Sequence, residues 1–102
     1  MTAAPDPNAW VWVIVLESPG GARYFGRQDP AAGLAYIPAF REKDDALACL
    51  PRFPAVPGER MEVQAVLFGE LCRDAALNGF LIFMLGADGR VLDRITPPPA
   101  RS

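Results

Sequence analysis

Residues Met61–Leu85 read MEVQAVLFGELCRDAALNGFLIFML. In the first six positions Met61, Val63 and Ala65 alternate with Glu62 and Gln64, the period-two pattern of a strand with one face toward a core. Over Leu67–Leu77 the spacing changes. Phe68, Leu71, Cys72 and Ala75 fall at i, i+3, i+4 and i+7, a helical stripe, while Glu70, Arg73 and Asp74 take the opposite side. Asn78-Gly79 is the stop signal, because glycine adopts the left-handed conformation that ends a helix. Phe80–Leu85 is then apolar at every position, which predicts a strand covered on both faces. A strand–helix–strand unit of this kind favours parallel strands joined by a right-handed crossover.

The same two-sided apolar pattern occurs at Trp10–Leu16 (WVWVIVL). Trp10, Trp12, Ile14 and Leu16 lie on one face and Val11, Val13 and Val15 on the other, which predicts a second covered strand. Ser18-Pro19-Gly20-Gly21 turns the chain into a weaker strand over residues 22–27. Arg23, Phe25 and Arg27 share one of its faces; Ala22, Tyr24 and Gly26 share the other. A turn over residues 28–33 leads to a strand at Leu34–Phe40, where Pro38 predicts an edge position or a bulge. A first helix is expected over Glu42–Leu50, with Glu42, Asp44 and Asp45 at its positive end and Pro51 preventing its continuation. Residues 51–60 (PRFPAVPGER) form a loop stiffened by proline, with Phe53 and Val56 placed to reach the core. Residues 86–89 turn Phe80–Leu85 into a last strand near residues 90–95.

These elements predict an α/β chain of α+β type, in the order β-β-β-α-β-α-β-β. One mixed sheet of five to six strands is expected with two short helices. The single domain spans residues 10–96, between a flexible tail at 1–9 and a proline-rich tail at 97–102. The chain length of 102 residues suits one core.

Composition excludes several function classes. Nine of the ten basic residues are arginine, yet the net charge is −2. That balance argues against a nucleic-acid partner, which requires clustered positive charge. No apolar run approaches the ~20 residues of a membrane-crossing helix, and no secretory leader is recognisable. The two cysteines, Cys49 and Cys72, match no zinc or redox spacing, and no histidine is present. They are expected to be small buried thiols in a reducing cytoplasm.

Catalysis has little to draw on. Histidine, the usual general base near neutral pH, is missing. Ser18 sits in a turn and Ser102 at the terminus. No phosphate-binding glycine loop occurs, and Asp44-Asp45 reads as solvated charge at a helix start. No catalytic, cofactor-binding or metal-ligating residue is therefore assigned, and no cofactor is expected.

Two binding surfaces remain. Helices of about nine and eleven residues measure only ~14 and ~16 Å. If both lay on one side of the sheet, Trp10, Trp12, Phe80, Ile82 and Met84 would be left as an apolar sheet face for a protein partner, including a second copy of the chain. One helix on each side, or the proline-rich loop and tails acting as a lid, would instead cover both faces. The second surface is Arg23, Tyr24, Arg27 and Tyr36, a set suited to the mouth of a cleft for a small ligand or anion.

Leu34-Ala35-Tyr36-Ile37-Pro38-Ala39-Phe40, followed at once by an acidic helix, resembles the strand–Pro-x-Phe–helix signature of SseB-like domains. The later strand, helix and apolar strand extend the resemblance over residues 34–92. It implies a small bacterial α/β domain without catalytic residues. The expected role is thus non-catalytic, through protein–protein contact or homodimerisation, with ligand or anion binding as the alternative.

Overall fold

In the computed structural model, which describes residues 4–29 and 31–98, the N-terminal apolar run forms β1, Trp10–Ser18. It is followed by β2 (Gly21–Tyr24), β3 (Arg27–Asp29), β4 (Leu34–Phe40), α1 (Lys43–Cys49), a 3-10 turn at Leu50–Arg52, β5 (Arg60–Leu67), α2 (Phe68–Asn78), β6 (Leu81–Leu85) and β7 (Val91–Ile95). The seven strands make one mixed sheet, and with two helices the fold is α+β. α1 ends at Cys49, ahead of Pro51, and Leu50-Pro51-Arg52 follow as the 3-10 turn. Gly79 closes α2 in the left-handed conformation at φ 74°.

The additional strand has a topological cause. β1 pairs along its whole length with β5 on one side. On its other side it meets β4 only at Trp12 and Val13, and then β2 from Val15 onward. β1 and β4 therefore diverge like the arms of a fork. The weak strand expected over residues 22–27 is instead two short strands that fill that fork: β2 runs into it antiparallel to β1, and β3 runs back out antiparallel to β4. The chain reverses at Phe25-Gly26, where the Phe25 amide still donates to the Ile14 carbonyl at 2.8 Å.

Pro38 differs from its expectation for the same reason. It lies in a central strand, fully buried, with β6 parallel on one side. On its other side β4 changes partner between Tyr36, paired with β3, and Ala39, paired with β1. The missing N–H falls in that gap, so no ladder bond is lost.

Each face of the sheet has its own cover. α2 packs on Val11, Val13, Val15, Ile37, Ala39, Ile82 and Met84 through Phe68, Leu71 and Ala75. On the other face Ala46 and Cys49 of α1 meet Ile14, Leu16, Phe40, Phe83 and Leu85, with Phe53 and Val56 of the proline-rich loop packed beside them. α1 has only seven residues, about 10 Å, and cations complete the layer over aromatic rings. Lys43 Nζ lies 5.6 Å from the Trp12 ring, and the Arg27 and Arg94 guanidinium groups lie 5.4 and 5.3 Å from Phe53 and Phe83.

The segment before β1 is tied down where a loose tail is expected. The Pro7 and Ala9 carbonyls accept hydrogen bonds of 2.9 Å from the Gly69 and Phe68 amides. They satisfy the first donors of α2, which has no side-chain cap. Residues 1–3 and 99–102 of the expected tails lie outside the described residues.

Ile82 and Met84 are fully buried beneath α2, so truncation should leave a cavity rather than weaken an interface. Ile82→Ala and Met84→Ala are each expected to lower unfolding free energy in urea by about 2–5 kcal/mol. Leu77→Ala, at a position 67 % exposed, should change it by less than about 0.5 kcal/mol.

Candidate functional site

Where β1 and β4 part, the sheet leaves a cleft of about 770 Å3, within the range of small-molecule sites. Its lining includes Val15 of β1, Tyr24 of β2, Ala35 and Ile37 of β4, and Asp74, Asn78 and Phe80 at the end of α2 and beyond it. Leu16, Arg23, Phe25, Arg27 and Val56 also line it, so it draws on β2, β3 and the reversal between them.

Gly26 is required by close approach. A Cβ there would lie 2.8 Å from the Phe80 ring, closer than side chains tolerate. Glycine thus lets the reversal between β2 and β3 press against Phe80 at the floor of the cleft. The apolar wall is built by residues whose side chains belong to the α2-side core, with Val15 and Ile37 buried and Tyr24 and Phe80 packed against them.

The polar groups converge on Asp74. The Tyr24 hydroxyl donates to Asp74 Oδ2 at 2.9 Å, and Asn78 Nδ2 donates to the Asp74 carbonyl at 2.8 Å. Among the described residues the second carboxylate oxygen of Asp74 has no hydrogen-bond partner. The Tyr24 hydroxyl is pushed up to about 12 by burial first, then by its bond to Asp74 and by the charges of Asp74 and Glu70. Tyr24 is therefore a fixed donor at neutral pH. The acceptor pole of the cleft is negative.

The two arginines of the expected anion site line the cleft and already make contacts of their own. Arg23 is paired with Glu59 at 2.6 Å, which ties the proline-rich loop to β2. The Glu59 side chain is only 14 % exposed, and its other oxygen is buried without a hydrogen-bond partner among the described residues. Arg27 lies over Phe53, whose ring also packs against Phe25 at 5.1 Å. Tyr36 is not in the cleft. Its ring stacks on Phe83 at 4.2 Å on the α1 side, the face opposite Tyr24. The cleft thus gathers Arg23, Tyr24 and Arg27, and leaves Tyr36 in the other layer.

The five residues expected as one apolar surface are also divided. Trp12 belongs to the α1 side, whereas Ile82 and Met84 belong to the α2-side core. Trp10 is 62 % exposed at the start of β1, and Phe80 lines the cleft. Alternation places even-numbered β1 residues and even-numbered β6 residues on opposite faces, so the set cannot form one patch.

Asp74 and Asn78 carry the polar pole, and periodicity assigned Asp74 only to the solvent side of its helix. The one sequence signal for them is their i, i+4 spacing at the end of α2, one turn apart on the same side. Burial pushes both thiols above their ordinary value, which disfavours the nucleophilic thiolate. Among the described residues no three acidic or thiol groups gather as a metal site would require, and no helix is long and apolar enough to cross a membrane.

The Tyr24–Asp74 contact has an alkaline signature. Because the folded state holds the Tyr24 proton more tightly than the ordinary value near 10, its contribution is intact below that pH and is lost as pH rises toward about 12. Melting temperatures of the wild type are expected to fall more steeply through that window than those of Tyr24→Phe, which has no proton to lose there.

No family model, no curated protein and no solved structure matches this chain.

Proposed function

We propose that this chain is a non-catalytic domain that binds a small, largely apolar molecule in the fork cleft and holds a donor group of that molecule on Asp74. The observation that carries this reading is the Asp74 carboxylate at the polar end of an apolar cleft, with one oxygen held by Tyr24 and the other open to solvent. A ligand N–H placed there makes a charge-assisted hydrogen bond, the stronger class of such bonds. The anion alternative has less support, since Arg23 is already ion-paired with Glu59, Arg27 lies over the Phe53 ring, and Asp74 adds a negative charge to the cleft.

A bacterial cytoplasmic setting fits two free cysteines, Cys49 and Cys72. SseB-like membership rests on β4 running directly into the acidic first turn of α1, and a non-catalytic role agrees with it.

A pair of fragments matched in shape and opposite in charge tests the proposal. Phenethylamine is expected to shift the backbone NMR signals of Tyr24, Gly26, Asp74 and Phe80, whereas phenylpropionate should not. Asp74→Asn should weaken phenethylamine about tenfold or more, from loss of a charged hydrogen bond of about 1.5–3 kcal/mol. Preference for phenylpropionate, abolished by Arg23→Ala or Arg27→Ala, would instead establish the anion reading.

A further inference from the structure

The two edges of the sheet are built differently. β7 is guarded: it has five residues, carries Asp93 and Arg94 near its middle, has an irregular register opposite Met84/Leu85 and runs into Pro97-Pro98. Short length, charge, bulges and proline are the usual means of preventing edge-to-edge pairing. β5 has almost none of them. It runs for eight residues in unbroken register with β1, contains no proline or lysine, and carries charge only at Arg60 and Glu62. Among the described residues it pairs with β1 alone.

The hydrogen-bond phase shows what this edge offers. The Ile14 carbonyl points away from β5, since it accepts from Phe25 on the far side of β1. Its cross-strand neighbour Val63 must therefore direct its own N–H and C=O outward. Met61 and Ala65, two residues either way, do the same. On the α1 side these residues continue the apolar surface of Trp12, which lies opposite Ala65, and of the exposed Trp10.

We propose that a second copy of this chain docks along β5, antiparallel, extending both sheets into one. The two-fold axis falls at Val63 or Gln64, the centres that pair nearly the whole strand and set no like charges opposite one another. With the axis at Val63, Glu62 faces the amide of Gln64 in the other copy and Met61 faces Ala65. This face is distinct from the ligand cleft, which lies on the other side of β1, so the two proposals stand or fall separately.

The test is solution mass by light scattering across a concentration series. The wild type is expected to approach twice the chain mass at high micromolar concentration. Val63→Pro removes an outward N–H that the β1 ladder does not use, so a folded monomer is expected. Ala65→Lys, at an exposed edge position, should also halve the mass, and it decides the matter if the proline variant fails to fold. A wild type that stays monomeric throughout, or a dimer that persists in Ala65→Lys, would overturn the proposal.

Discussion

A sheet whose inner strands are apolar on both sides holds together in water only if both sides are covered, and this chain meets that demand by reversing direction at β5. β4, β5 and β6 all run parallel, linked through α1 and then α2. The first crossover passes outward over β1 to the sheet edge. The second returns inward over β1 and β4. Two connections of the same hand that travel in opposite directions must lie on opposite faces, and the strong preference for right-handed crossovers supplies the common hand. α1 and α2 are accordingly found on opposite faces. The shorter helix needs help, and the proline-rich loop and three cation-capped rings provide it.

The cleft is a by-product of the same arrangement. β1 pairs with β5 along one side and with two different strands along the other. The divergence that admits β2 and β3 also separates Val15 from Ile37, and the C-terminal end of α2 overhangs the space between them. Pro38 and Gly26 both sit at the fork, each for want of something. Proline lacks a donor where no acceptor strand is present, and glycine lacks a Cβ where the Phe80 ring approaches. Fold and candidate site thus depend on one irregularity.

Much of this was legible in the residues, because periodicity reports local geometry directly. Leu34–Phe40 is a strand with the bounds read from sequence, and the strand–helix–strand pattern of Met61–Leu85 holds to within one residue at each helix end. The opposite faces of Tyr24 and Phe25 also follow from alternation, although the single strand read over residues 22–27 does not exist. What alternation cannot convey is strand order. Without knowing that β5 lies at the edge, the direction of each crossover is open, and so is the face each helix covers. The reversal at Phe25-Gly26 was illegible for a related reason, since only the divergence of two distant strands makes room for β2 and β3 side by side. Asp74 was missed because its role depends on Tyr24, fifty positions away.

The central claim is that β1 and β4 part after Val13 and that β2 and β3, joined by a reversal at Phe25-Gly26, fill the gap against Phe80. Nuclear Overhauser measurements test it most directly. Contacts between the Gly26 α-protons and the Phe80 ring, together with a slowly exchanging Phe25 amide, are the predicted result. Cross-strand contacts continuing from Ile14 to Pro38, with the Phe80 ring remote from Gly26, would contradict the account.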